Sequence, residues 1–392
     1  MRTTEYLMSV RDASSGSYIV MNLLNGIVAS VPYSEKQVLK KIDFTSSRFQ
    51  NEDSIGYCDE SASLIITVTG ACNFSCSYCY YHAANWEKKS HHISIEGFSN
   101  WFRNHFLLAF SNLTSLYIEF IGGEPLLEIK IIDQLAQIII ESCRTECKIQ
   151  FNIITNGYYL NEKNICELSH IKNLSAQVTI DGYRSDHNRS RNMLEVYNTF
   201  DIIIDNIVSA QRYFPISVRI NFSRETSVED MKLLVDFLAS RNISSYYFSP
   251  ITQTCFDAQD KQVMSDDEIL TFYRTIWKHM RSQNYTITDA LPFGCSVCIA
   301  KNAKGVVIDS DCNLYDCPSF CGIVEKQYGN WSQILQRKRC KDEECVKCKF
   351  YPVCLGGCTY QAYVNSIGKY CKKEFLEKIF SEFLLAKYGK EY

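Results

Sequence analysis

Three cysteines crowd into eight residues, Cys72-Asn73-Phe74-Ser75-Cys76-Ser77-Tyr78-Cys79. Thiolates at this C-x3-C-x2-C spacing can hold three irons of a cubane [4Fe–4S] cluster, and cysteine-ligated clusters of this kind ordinarily take four protein ligands. A cluster held by three leaves one iron open, and an open iron is a chemical site. A zinc knuckle is the competing reading of so short a motif. A second thiol-rich stretch lies near the other end of the chain: Cys345-x2-Cys348-x5-Cys354-x3-Cys358, with Gly356-Gly357 inside it, Cys298, Cys312 and Cys317 upstream and Cys371 downstream. Eleven of the nineteen cysteines lie from Cys295 to Cys371, which marks out a second metal-rich module. The odd total and the clustering fit reduced, metal-binding thiols better than a disulfide framework.

The elements that must position these residues can be read from periodicity. Six β-rich runs, Leu64–Thr69, Leu116–Ile121, Ile149–Thr155, Ala176–Ile180, Ser217–Phe222 and Ser245–Phe248, alternate with helical patterns. Phe98, Trp101, Phe102, Phe106 and Ala109 recur at helical spacing, as do Ile131, Ile132, Leu135, Ile138 and Ile139. Ser227-x-x-Asp230 and Ser265-Asp266-Asp267-Glu268 are helix-start signals. Six strands with intervening helices predict an α/β fold built on a parallel sheet, either a partial (β/α)6 TIM-like barrel or an open doubly wound sheet. Residues 1–60 read as a small region of their own, with a hairpin at Ser17–Val20 and Ile27–Val31 and a helix after Ser34. The expected boundaries are 1–60, 61–260 for the barrel, 261–289 for a bridging helix, 290–375 for the cysteine-rich module and 376–392 for a closing helix, with helical character from Tyr370 to Leu385.

Composition narrows the function classes. At 392 residues, 46% hydrophobic and 22% charged, the chain is an ordinary globular protein of two or three domains. A net charge of −3 gives no basic field for nucleic acid. No apolar run reaches the length of a membrane span, and MRTTEYLMSV lacks a secretory core. The expectation is a cytoplasmic protein without nucleic-acid or membrane partners.

The cysteine run with Tyr78 before its last thiol resembles the signature of the radical S-adenosylmethionine (SAM) superfamily, and its place after the first strand, at the active rim of such enzymes, favours the partial barrel. The resemblance implies that the open iron binds the amino and carboxylate groups of SAM, and that one electron splits SAM into methionine and a 5′-deoxyadenosyl radical. Gly122-Gly123-Glu124-Pro125 matches the segment that binds the SAM amino group in that family, through glycine backbone groups and the nearby carboxylate. Thr155-Asn156-Gly157 follows the third strand. Thr179-Ile180-Asp181-Gly182, with His187, Asn188 and Arg191, resembles the S-L-D-G…H-D…R stretch of peptide-modifying members. Arg191 would take the SAM carboxylate, with Arg189 as the alternative, and Tyr78 would lie beside the adenine. Asn188 departs from the family's usual aspartate. No general base is assigned.

Residues 290–375 resemble a SPASM domain, a twin-cluster extension of radical SAM enzymes. The resemblance implies one auxiliary [4Fe–4S] cluster on Cys295, Cys298, Cys317 and Cys358, with Cys312 and Cys321 as alternatives to Cys295. It implies a second on Cys345, Cys348, Cys354 and Cys371. With Cys72, Cys76 and Cys79 that makes three clusters. The remaining thiols read mostly as buried structural residues. The implied activity is radical modification of a ribosomally made precursor peptide by a thioether or carbon–carbon cross-link, fed by an external flavodoxin- or ferredoxin-type electron donor. A formylglycine-forming sulfatase-maturating enzyme is the alternative. That group carries an aspartate after the cysteine matching Cys317, where this chain has Pro318. A non-catalytic iron–sulfur or zinc scaffold is the alternative from another class.

Overall fold

The computed structural model describes residues 6–23, 26–34, 60–83, 91–193, 196–254, 262–287, 298–302, 304–329, 331, 333 and 342–390. Its strands in chain order are β1 (Leu7–Asp12), β2 (Ser17–Asn22), β3 (Val28–Pro32), β4 (Ser61–Thr67), β5 (Ser75–Cys76), β6 (Ser115–Ile121), β7 (Lys148–Thr155), β8 (Leu174–Ile180), β9 (Arg191–Asn192), β10 (Ile216–Phe222), β11 (Tyr246–Pro250), β12 (Gly305–Ile308) and β13 (Leu314–Tyr315). The chain divides into two compact units, one from residues 1–57, 264–301 and 338–392, the other from 58–263 and 302–337.

The larger unit is built on one sheet in the order β11-β10-β8-β7-β6-β4-β12-β13. All six expected strands are present, and β4, β6, β7, β8, β10 and β11 pair in parallel. Their order follows the chain without reversal. A doubly wound sheet turns back at a switch point; this one is wound in a single direction, as in a barrel. One face is apolar because alternate residues point to it: Leu116, Ile118, Phe120, Ile153, Val178, Val218 and Ile220 are all nearly inaccessible. Helices cover that face, among them Ile129–Ser142, which buries Ile132, Leu135, Ala136 and Ile139. Ser227 caps Val228–Ser240 through a bond from the Asp230 amide, as its spacing predicts. The predicted helix from Phe98 begins at Ile95 and continues as a π-helical turn, Phe102–Phe106, where the rings of Phe98, Phe102 and Phe106 stack 5.3–5.5 Å apart.

The smaller unit corrects the reading of residues 1–60. The hairpin is a three-stranded antiparallel sheet, because β1 pairs with β2 ahead of β3. The helix expected after Ser34 falls outside the described residues. Helix Asp266–Ser282 has the full capping box at Ser265 and Glu268. It packs on the C-terminal helix Lys373–Tyr388, with Trp277 against Phe383 and Arg274 bonded to Glu382 at 2.6 Å. That closing helix starts at Lys373, three residues after Tyr370.

The division also departs from a single module over 290–375. Residues 302–337 belong with the parallel sheet, since β12 pairs in parallel with β4 and β13 adds to it. Physically, β12 is a short strand buried at every position, and it covers the flank of β4 that would otherwise be an open edge.

Candidate active site

Parallel strands present their C-terminal ends on one rim, the usual place for a ligand. The cysteine loop follows β4, Gly122–Glu124 follows β6, Thr155–Asn156 ends β7, Asp181 follows β8 and Asn221 lies in the last turn of β10. The loop is tied down by a two-residue antiparallel bridge: β5 pairs with β9, setting Cys76 opposite Arg191 and Ser75 opposite Asn192.

That bridge brings the side chains of Arg191 and Tyr78 together. Arg191 Nη1 donates to the Tyr78 hydroxyl at 2.6 Å, which donates to Asp181 Oδ1 at 2.9 Å. Asn221 Nδ2 donates to the same hydroxyl at 3.0 Å and to Asp181 Oδ1 at 3.2 Å, and Ser190 Oγ donates to Asp181 Oδ2 at 2.7 Å. Arg191 is 7% exposed, its Nη1 stands 3.7 Å from Asp181 Oδ1, and its guanidinium lies over the Phe74 ring. Its Nε is buried and has no acceptor among the described residues. A buried guanidinium N–H without a partner is costly, so this site fits an anionic ligand group such as a carboxylate. Arg189 is turned away: it is half exposed and pairs with Asp186 at 2.7 Å.

Gly122 and Gly123 are required for a reason the sequence does not show. A Cβ on Gly122 would stand 2.4 Å from the Thr69 carbonyl oxygen, and one on Gly123 would stand 2.1 Å from that of Ala71. The Gly123 and Glu124 amides donate to Thr69 and Ala71 at 2.9 and 2.8 Å. These amides are therefore used by the chain, against the expectation that they are free for a ligand, and they fix the backbone leading into Cys72. Glu124 is fully buried and accepts from Thr155 Oγ1 at 2.6 Å, the Asn156 amide at 2.7 Å and the Leu126 amide at 3.0 Å. Burial raises its pKa, and those three donors act against the rise. Asn156 in turn donates to Asn73 Oδ1, inside the cysteine loop, at 2.8 Å.

The three thiols form one electrostatic group, with burial pushing Cys72 and Cys76 up to about 12. Without metal Cys72 and Cys76 carry their protons at neutral pH, and iron binding must release them. Among the described residues no three His, Cys, Asp or Glu side chains close on a single metal ion. One tetrahedral ion would draw its thiolates to about 2.3 Å each, whereas a cubane gives every thiolate its own iron.

Other expected residues have packing roles. His187 is buried against Phe200, its Nδ1 accepts the Asp181 amide at 3.3 Å, and burial keeps it neutral. Asn188 accepts from the Thr199 and Phe200 amides and so anchors the start of helix Thr199–Ala210. Tyr78, expected beside an adenine, spends its hydroxyl on Arg191 and Asp181. Sequence reasoning missed Asn221, Ser190 and Asn73. It also missed the second face of the sheet, where Tyr117, Glu119, Asn152, Gln177, Arg219 and Tyr247 occupy the alternate positions. Asn152 Nδ2 donates to Glu119 at 3.2 Å, and Tyr247 donates to Gln177 at 2.6 Å. Parallel strands packed on both faces read as continuous apolar runs; this alternation was the available signal of a polar, ligand-facing surface.

In the smaller unit Cys345, Cys348, Cys354 and Cys371 line one cavity of roughly 270 Å³. Gly357, at φ +87°, lets the backbone pass where a Cβ would stand 2.2 Å from the Tyr370 carbonyl oxygen, next to Cys371. Cys298 and Cys358 interact electrostatically with each other. In the larger unit Cys317 interacts with Cys321. Cys295, like Cys58, Cys255 and Cys340, lies outside the described residues. Cys312 adopts φ +62°, the left-handed conformation that glycine takes most readily. Of the thiols read as buried structural residues, Cys321 alone among those described is buried; Cys143 and Cys147 are half-buried and Cys166 is exposed.

Comparison with known proteins agrees with this geometry. Residues 66–238 match the family described as the radical SAM superfamily. The chain is 25% identical over 169 residues to the sporulation killing factor maturation protein SkfB of Bacillus subtilis, a match over 43% of this chain and 38% of SkfB, so it spans about two fifths of that relative's length. Among solved structures, native anSMEcpe with bound AdoMet and the Kp18Cys peptide superposes with a TM-score of 0.63 at 18% identity, over 83% of this chain and 99% of that one. Streptococcus suis SuiB bound to its precursor peptide SuiA gives 0.58 at 16% identity, over 96% and 99%. Those two likenesses concern the fold. The match to the radical SAM superfamily spans the cysteine triad, Gly122–Glu124, Asp181, Arg191 and Asn221.

Proposed function

We propose that this chain is a SPASM-type radical SAM enzyme that reductively cleaves SAM and installs a thioether or carbon–carbon cross-link in a ribosomally made peptide. The observation that carries the reading is the Cys76–Arg191 bridge, which sets a buried, under-satisfied guanidinium beside the cysteine triad. SkfB is by name a maturation protein, and SuiB was solved with a precursor peptide, which supports a peptide substrate.

Cys72, Cys76 and Cys79 would hold the barrel cluster. Cys298, Cys317 and Cys358, with Cys295, would hold the first auxiliary cluster, and Cys345, Cys348, Cys354 and Cys371 the second. A cluster held there, reduced by a flavodoxin- or ferredoxin-type donor, would supply the one electron that breaks the S–C5′ bond of SAM to give methionine and a 5′-deoxyadenosyl radical, which would take a hydrogen from the peptide. Arg191 binds the SAM carboxylate, and Tyr78, Asp181 and Asn221 hold that guanidinium in place. Glu124 and Gly123 fix the loop from opposite sides, so the triad is preorganised. Thr179 stands two residues before Asp181 on the same face of β8, facing the ligand. The polar face carrying Glu119 and Arg219 orients the peptide. The outer edge of β3, which pairs only with β2 among the described residues, takes the peptide's leader by strand addition.

The likeness to the cysteine-type anaerobic sulfatase-maturating enzyme of Clostridium novyi, 21% identical over 75% of this chain, favours formylglycine formation as the second reading, and Pro318 in place of that group's proposed base counts against it. The test is anaerobic reconstitution, metal analysis and incubation with SAM and dithionite. Three clusters require about twelve irons per chain, and 5′-deoxyadenosine should appear. Cys76→Ala should abolish it while keeping about eight irons. A full iron load with no 5′-deoxyadenosine would overturn the reading in favour of a scaffold.

A further inference from the structure

The second thiol cavity carries a charge arrangement that the ligand set alone does not require. Asp342 caps the short helix Glu343–Val346 with Oδ1, accepting the Cys345 amide at 3.0 Å. Its Oδ2 accepts from Lys369 Nζ at 3.0 Å. Lys369 lines the same cavity as Cys345, Cys348, Cys354 and Cys371. Its ammonium also reaches Glu344 at 3.4 Å, but that carboxylate is 89% exposed and screened by water. The Asp342 carboxylate thus ties the backbone of one ligand to a cation on the wall of the thiol cavity. Lys369 is 30% exposed there, and such a surface pair adds little stability by itself. Its placement therefore points to what the charge does for the cavity's contents.

We infer that Lys369 is a positioning residue which raises the reduction potential of the second auxiliary cluster through its positive charge on the wall of the thiol cavity, with Asp342 moderating that charge. This rests on the cluster assignment proposed above. Hydrogen bonds to cluster sulfurs and nearby positive charge favour the reduced, more negative state. The two partners must then act with opposite sign. Removing the cation lowers the potential. Removing its anion while keeping the helix cap raises it, and asparagine caps as well as aspartate does.

The test is an EPR-monitored redox titration of the anaerobically reconstituted full chain, in which the wave missing from Cys348→Ala identifies the cluster. Lys369→Gln should shift that wave negative, with roughly a tenfold smaller reduced fraction at fixed ambient potential, which is about 59 mV for one electron. Asp342→Asn should shift it positive, and Lys369→Arg should restore most of the wild-type value. The other two waves should stay put. Unmoved waves in both variants, or shifts of the same sign at full iron load, would overturn the inference while leaving the cluster assignment standing. Wild-type protein carrying zinc in place of that wave would overturn both.

Discussion

Tyr78→Phe separates two roles for one side chain. The substitution removes a single oxygen and keeps the ring. In the structure that oxygen accepts the short bond from Arg191 and passes a proton bond on to Asp181. Asp181 would keep Ser190 and Asn221, so its loss is partial. The Arg191 guanidinium would lose its one hydrogen-bond acceptor among the described residues, leaving it buried with a carboxylate oxygen 3.7 Å away. A hydrogen bond to a charged group contributes about 1.5–3 kcal/mol, so local opening of the Cys76–Arg191 bridge should become easier by about 2 kcal/mol, roughly thirtyfold. Hydrogen exchange of peptides spanning Cys72–Cys79 and Ser190–Asn192 measures this directly, since the Ser77 amide donates to the Ser190 carbonyl across the bridge. Exchange elsewhere in the parallel sheet should be unchanged. If the ring served to stack on adenine instead, Phe would preserve that contact. Unchanged exchange in Tyr78→Phe would therefore refute the reasoning that the phenol pins the loop.

Two further outcomes follow from local geometry. Gly123→Ala must push the backbone off Ala71 and break the Glu124–Ala71 bond; we expect a loss of about 1–3 kcal/mol in thermal unfolding and poorer iron retention at the N-terminal triad. Gly368→Ala, with nothing within 4 Å of its Cβ, should leave both unchanged, and equal behaviour of the two variants would sink the steric argument. Asp12 is held below the usual carboxylate range by bonds from Ser14, Ser15 and the Lys390 amide. A depressed carboxylate stabilises the folded state above its unfolded pKa of about 3.9 and loses that contribution as pH falls toward the folded value. Urea unfolding at pH 6 and pH 3 should show a steeper loss for wild type than for Asp12→Asn, and parallel losses would exclude the effect.

The six parallel strands were legible because each alternates an apolar side with a polar one, and β-branched or aromatic residues fill the buried side. The caps at Ser227 and Ser265 were equally legible, since capping depends on neighbours three residues away. β1 was not: half of Leu7–Asp12 is polar, and its burial alternates only weakly. Nor was β12, a four-residue apolar run whose partner strand stands far back in the chain. The same contrast holds at the site. The cysteine triad announces itself by spacing. Asn221, Ser190 and Asn73 are ordinary polar residues at turns and strand ends, and only the fold brings the first two to the Asp181 carboxylate and the third to Asn156. The glycine pair was recognised, but its cause, a carbonyl oxygen pressed against each α-carbon, belongs to another segment.

The pairing of β12 with β4 has a consequence for biosynthesis. Some 240 residues separate the two strands. At translation rates of about 5–20 residues per second, a ribosome needs roughly 10–50 s to bridge that interval. Throughout it the nascent sheet exposes a bare hydrogen-bonding margin along Ser61–Thr67, open to adhesion with other emerging polypeptides. Expression should accordingly favour slow growth temperatures or added holdase chaperones, and a fragment ending before Gly305 should precipitate where the full-length polypeptide does not.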